Sequence, residues 1–206
     1  MTGFTRRGLA ATFAATLALT ALGATPAAAQ AIPLGELSRY LNSLGTAQGG
    51  FTQINSDGTI STGTIFIKRP GRVRFEYDPP DNSLVMAGGG SVAVFDPRSN
   101  TGPERYPLNQ TPLSIILAAN VDLSRARMVT SHTSDGTRTT VRAQDPDRPE
   151  IGHIDLVFTG NPTELRQWIV TDDSGTQTTV ILNDLRTGVS LGEILFNIQA
   201  ETRDRG

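Results

Sequence analysis

The chain has 206 residues, enough for one sizeable core, and contains no cysteine, so disulfide staples and thiolate chemistry are both excluded. Its formal charge of −2 at pH 7 is carried without any basic block, which argues against nucleic acid as a partner. Abundant glycine (21) and proline (12), with only 6% aromatic residues, suit short strands and many turns better than a helical bundle.

Residues 1–29 read as an export signal. Arg6 and Arg7 form a positive start, Leu9 to Leu22 is apolar, and "PAAAQA" offers an A-x-A cleavage site after Ala29. The apolar run falls short of the ~18–20 residues that a membrane span needs. "TRRG" resembles a twin-arginine motif, but two arginines are ordinary in such a segment, so the sequence leaves the export route open. Loss of the signal takes the formal charge from −2 to −4 and leaves residues 30–206 as one domain. No later segment can span a bilayer, and no cysteine is present for a lipid anchor. The expectation is a soluble protein of the periplasm.

The mature part opens with a helix. Leu34, Leu37, Leu41 and Leu44 make one apolar stripe, with Pro33 suited to the start and Gly45 to the stop. A series of hairpins follows: "AQGGFTQIN" with "TISTGTIFIK", then "VRFEYD", then "NSLVMA" with "SVAVFD" across Gly88–Gly90. The three glycines lack the Lys-Ser/Thr ending of a phosphate loop and read as a turn. "TPLSIILAAN" interrupts the strands. Thr111 is a candidate cap, Pro112 a first helical residue, and Leu113, Ile116 and Leu117 an apolar face, so the pattern predicts a helix over Pro112–Ala119, stopped at Asn120. Five more strand patterns run from "ARMVTSH" to "QTTVILNDL". The sum is one antiparallel β domain with two helices, one N-terminal and one central.

No arrangement for catalysis is apparent. The chain lacks a G-x-S-x-G elbow, a zinc pattern and a thiol. His132, beside a turn, and His153, on the face opposite Ile154, Leu156 and Phe158, read as surface histidines. Asp145, Asp147 and Glu150 gather in "DPDRPE", without the glycine or the spacing of a calcium loop. The reading is therefore a protein that is not an enzyme and that needs neither metal nor cofactor.

The segment "GTIFIKRPGRVRFEYDPP" (Gly63–Pro80) is the informative one. Alternation puts Ile65, Ile67 and Arg69 on one strand face. Past the turn, Val73, Phe75 and Tyr77 point inward, and Arg72, Arg74 and Glu76 point to water. Two arrangements stay open for Arg69. It can leave the strand at Pro70 and reach solvent. Alternatively it can stand at the mouth of an apolar interior, where the free carbonyls at the end of the Pro112–Ala119 helix could accept from it.

Phe51–Gln53 ("FTQ"), this K-R-P hairpin, "VAVFDP" and "TPLSIILA" fall in the order seen in the periplasmic lipoprotein carrier family, LolA. The chain resembles that family from about Leu34 to Phe196, and "ELRQWIVTDDSGTQTTVIL" is similar to its C-terminal hairpin. The resemblance implies a mainly β fold: an unclosed, strongly curved antiparallel barrel with an N-terminal helix and a central lid helix over an apolar cavity. It implies that Ile65, Ile67, Val73, Phe75 and Tyr77 line an acyl-chain cavity, that Leu113, Ile116 and Leu117 form the lid, and that Arg69 latches it. The implied partners are acylated lipoproteins, an inner-membrane ABC-type lipoprotein-releasing transporter, and an outer-membrane acceptor or the outer membrane itself, with the carrier a monomer. A sensor or acceptor of the same fold, binding lipoproteins without shuttling them, is the alternative. One departure stands out. The family often ends with a Pro-Gly segment and a further strand, whereas "FNIQAETRDRG" stops soon after Phe196.

Overall fold

The computed structural model describes residues 30–205. The segment read as an export signal, residues 1–29, lies outside the described residues. Helix α1 (Leu34–Ser43) leads into strands β1 (Thr46–Ile54), β2 (Ile60–Lys68), β3 (Arg72–Tyr77), β4 (Leu84–Gly88), β5 (Ser91–Phe95) and β6 (Glu104–Pro107). Helix α2 (Leu113–Leu117) precedes β7 (Val129–Ser134), β8 (Arg138–Gln144), β9 (His153–Thr159), β10 (Glu164–Thr171) and β11 (Gln177–Thr187), and helix α3 (Ile198–Arg205) follows.

All eleven strands form one sheet, in the order β6-β5-β4-β3-β2-β1-β11-β10-β9-β8-β7. Every ladder is antiparallel. Each half is a meander of hairpins, which short turns can build locally. The β1–β11 ladder joins the halves, pairing Phe51 with Leu182. Strands β6 and β7 lie at opposite ends of the order without pairing to each other, so the sheet is unclosed.

One face of the sheet supplies the main core. Ile65, Ile67, Val73 and Phe75 meet Leu156, Phe158, Trp168 and Val180 from the other half, and α1 and α2 add Leu37, Leu41, Ile116 and Leu117. Edge-to-face aromatic contacts tie β1 to β3, with Phe51 5.3 Å from Phe75 and 5.0 Å from Tyr77, ring centre to ring centre. Phe75 in turn stands 6.3 Å from Trp168.

The structure corrects the sequence reading in several places. Helix α2 is shorter than Pro112–Ala119, because Ala118 is already extended at ψ 149°. Thr111 does not cap it; its hydroxyl donates to the Leu108 carbonyl at 2.9 Å. His132, by contrast, is exposed near the end of β7 as a surface histidine, with Nε2 3.0 Å from the Ile32 carbonyl. His153 is half-buried, and burial, then the nearby Arg142 charge, lowers its pKa against the opposing pull of Asp155. Strand β6 was not foreseen, being four residues with two charges and a proline.

The largest correction concerns the outer face of β3. Arg74 was expected in water and is buried. The chain after β11 crosses this face, and α3 docks on it. Ile198 closes a second apolar cluster with Leu84, Met86, Ala93 and Phe95. The Arg74 guanidinium bonds Glu76 at 2.6 Å and Glu201 at 2.8 Å. Burial alone would lower its pKa, but these two carboxylates outweigh that and raise it. Gly88 faces the Phe196 carbonyl so closely that a Cβ there would lie 2.3 Å from the oxygen, so only glycine lets the crossing chain lie flat on β4.

Candidate lid and apolar interior

The N-terminal leucine stripe sits where its spacing places it. Leu37, Leu41 and Leu44 are buried, and Leu34 packs at the margin of the same core. Proline at the N-cap and a Leu44 that leaves the helical region at ψ 69° bound α1. Helix α2 contributes Ile116 and Leu117, both buried, with Leu113 half-covered. Ile115 is buried as well, a fourth apolar residue of α2 that the apolar run carried but the face assignment omitted. The five sheet residues expected inside are found there: Ile65, Ile67, Val73 and Phe75 are buried, and Tyr77 packs partly covered against them. In this closed arrangement the two helices lie directly on the sheet's apolar face.

Tyr77 brings a polar group into the interior. Its hydroxyl donates to Gln53 Oε1 at 2.7 Å, and the Gln53 amide donates to Asn55 Oδ1 at 2.7 Å. Burial, reinforced by the Asp81 charge, pushes the Tyr77 pKa up to about 12.

Arg69 follows directly on β2, with its backbone N–H still held by the Gly45 carbonyl at 2.8 Å. Its side chain takes the inward arrangement. One guanidinium nitrogen donates to the Leu41 carbonyl at the end of α1. The other donates to the Ala118 carbonyl behind α2 at 2.5 Å and to Asn42 Oδ1 at 3.2 Å. The neighbouring Gly71 N–H takes the Leu117 carbonyl at 2.8 Å, from a turn whose φ of +71° favours glycine. A helix leaves its last four carbonyls without partners from the regular helical ladder, and α2 is little longer than that; the Leu41 carbonyl also accepts from the Leu44 N–H at 3.2 Å and takes Arg69 as a second donor.

The contact is a strained compromise electrostatically. No carboxylate pairs with Arg69 among the described residues, and its buried Nε lacks a partner there. Burial accordingly lowers its pKa. The guanidinium stays charged all the same. Only dipoles compensate it, so the contact lacks the depth of a buried ion pair.

Beside the start of α2 a cleft of about 610 Å³ opens to solvent, lined by Tyr106, Thr111, Pro112, Ile151 and Val170 among others. It lies at the opposite end of α2 from Arg69. Two side chains of α1 that sequence reading did not single out, Ser38 and Asn42, also reach across to the chain behind α2. Nothing in a helical stripe marks them, since small polar residues on a helix ordinarily face water.

The architecture is thus an apolar interior inside an unclosed antiparallel sheet, shut by two short helices that one arginine touches. The family model of the outer membrane lipoprotein carrier protein LolA matches residues 42–199, more than half of the chain. The chain belongs to that family. An outer-membrane lipoprotein carrier protein of Coxiella burnetii is 32% identical over 116 residues, 52% of this chain and 55% of that one. One from Xylella fastidiosa is 35% identical over 91 residues, 42% of this chain and 43% of that one. The chain thus spans about half the length of these curated relatives. A carrier from Methylococcus capsulatus, 23% identical, is matched over 82% of this chain and 84% of its own. The solved structure of a LolA superfamily protein from Nitrosomonas europaea aligns with a TM-score of 0.45 at 11% identity, over 81% of this chain and 98% of that one.

Proposed function

We propose that this protein is a periplasmic, non-enzymatic carrier that takes the acyl chains of lipoproteins at the inner membrane and delivers them to the outer membrane. The observation that carries the proposal is Arg69, whose guanidinium bonds the C-terminal carbonyls of both α1 and α2 above a continuous apolar interior. Cargo enters when these bonds break. The acyl chains then take the place of Leu37, Leu41, Leu44, Ile116 and Leu117 against Ile65, Ile67, Val73, Phe75 and Tyr77.

Magnitudes support a carrier over a trap. Burying a large apolar side chain is worth ~1.5–3 kcal/mol, so lifting five of them costs on the order of 10 kcal/mol. A buried acyl chain of about 14 carbons gains a similar amount at ~0.8 kcal/mol per CH₂. Opening thus offsets the burial of about one acyl chain, which lowers the net affinity for the cargo and helps a more apolar acceptor to draw it out. No phosphate loop occurs in the sequence. The energy of loading therefore comes from a partner, an inner-membrane ABC-type transporter, and unloading goes to an outer-membrane acceptor or to the membrane itself.

The test is cargo capture. Tagged wild type and Arg69→Leu are expressed with the export signal and isolated from the soluble periplasm, and what co-purifies is identified by mass spectrometry. Acylated lipoproteins in both, at different levels, are expected. If neither holds acyl chains and an apolar fluorescent probe finds no interior, the likeness to carriers is one of fold only.

A further inference from the structure

The Asn42 side chain uses both halves of its amide on the chain behind α2. Its Nδ2 donates to the Val121 carbonyl at 2.9 Å and to Asn120 Oδ1 at 3.2 Å. Its Oδ1 accepts from the Val121 N–H at 2.9 Å, beside the bond from Arg69 at 3.2 Å. One amide thus reads both backbone groups of a single residue, as a paired strand would. An amide does this with its donor and acceptor on separate atoms, whereas a carboxylate has no donor and an aliphatic side chain has neither group. One helical turn earlier, Ser38 Oγ accepts from the Leu123 N–H at 3.0 Å while donating to the Leu34 carbonyl at 2.8 Å. Between these polar ties, the Val121 and Leu123 side chains are buried in the same core as Leu37 and Leu41.

We propose that Asn42 is a positioning residue that clasps α1 to residues 120–123, so that the two parts of the lid leave the sheet as one body. This inference rests on the carrier reading for its purpose, and deepens it. Arg69 contacts this body at Leu41, Asn42 and Ala118, on both sides of the clasp. Without the clasp, release of one carbonyl would free one lid element and leave the other seated. With it, the latch either holds both or releases both, and the mouth opens in a single step.

Hydrogen exchange in the unloaded protein tests the clasp directly, because the Val121 and Leu123 amides have acceptors on α1. In wild type both are expected to exchange together with the slow amides of α1. In Asn42→Ala, which keeps the leucine stripe, Val121 is expected to exchange at least about tenfold faster while the α1 amides keep their rates. Ser38→Ala supplies the same comparison at Leu123 should the first variant not fold. Opening is then followed by labelling, which the absence of native cysteine makes clean. Spin labels at Arg39→Cys and Ser124→Cys report the distance within the lid, and Arg39→Cys with Thr62→Cys the distance from lid to sheet. On adding a synthetic triacylated lipopeptide, the first distance is expected to hold while the second grows. With Asn42→Ala added, the first distance broadens. Unchanged Val121 exchange in Asn42→Ala, or lid labels that separate in wild type on loading, would overturn the proposal. A wild type that takes up no lipopeptide sinks the carrier reading instead, and the exchange rates still decide the clasp.

Discussion

Arg69 carries a charge to a place where only carbonyl dipoles meet it, and this sets what its replacement does. A hydrogen bond to a charged group contributes ~1.5–3 kcal/mol net. Arg69→Leu removes those that favour the closed lid, so affinity for an apolar fluorescent probe is expected to rise by about tenfold or more, with slower release. Arg69→Lys keeps the charge but lacks the planar fork that reaches Leu41 and Ala118 together. Its affinity is expected to fall between the two in the same titration, and a lysine variant identical to wild type would refute a need for the fork. Tyr77 gives a second test at this scale. Its folded pKa of about 12 lies above the ordinary 10.0, so the proton is held more tightly in the folded state. The stabilisation is complete below pH 10.0 and is lost as pH rises from there through about 12. Phenolate absorbance should therefore appear late, together with loss of structure, and Tyr77→Phe should remove that alkaline step.

At the scale of elements, α3 is held more by charge than by apolar burial. Ile198 and Ala200 are its only buried residues, and eight residues are too few for a stable helix on their own. Glu201 anchors it to Arg74 at 2.8 Å and pairs within the helix with Arg205 at 2.6 Å. Burial would raise the Glu201 pKa, but the two arginines outweigh this and lower it. A depressed carboxylate contributes stability above its ordinary pKa of 4.5, and that contribution is lost as pH falls below 4.5 through the folded value. Proteolysis at Arg203 should thus accelerate on acidification. Glu201→Gln should give the same acceleration at neutral pH, with a cost of about 1–3 kcal/mol for the weakened partner of the buried Arg74. Equal cleavage rates in variant and wild type would mean that Ile198 alone holds the helix. The sequence contained a clue to this docking. "LVMA" and "SVAVF" are unbroken apolar runs, the pattern of strands covered on both faces, whereas α3 itself is polar and shows almost no stripe.

Across the whole molecule, the two halves of the sheet meet at β1 and β11, more than a hundred residues apart in the chain. Phe51 stands at that junction, buried and in contact with Phe75 and Tyr77. Phe51→Ala should cost about 3–5 kcal/mol, measured as a lower urea midpoint. Because the core is continuous across the halves, unfolding should remain one transition with an unchanged slope. Two separate transitions would show that the halves fold independently.

The sequence by itself determined the strands other than β6, their hairpin order and the inner face. Alternation is a local property, so Ile65, Ile67, Val73 and Phe75 could be assigned inward from their spacing alone, and the leucine stripe of α1 likewise. It also narrowed Arg69 to two arrangements, since strand geometry fixes which way its Cβ leaves the backbone. Only the tertiary structure decided between them, because the carbonyls that receive the guanidinium come from residues 28 and 49 positions away. The same holds for Arg74, a surface residue by alternation and a buried one because a polar helix 127 residues later brings Glu201 to it. Asn42 and Ser38 are ordinary helix polar residues until residues 120–123 lie against them. Which face of a strand or helix is apolar is written in the spacing of its own residues, but what covers the other face depends on chain brought from far away.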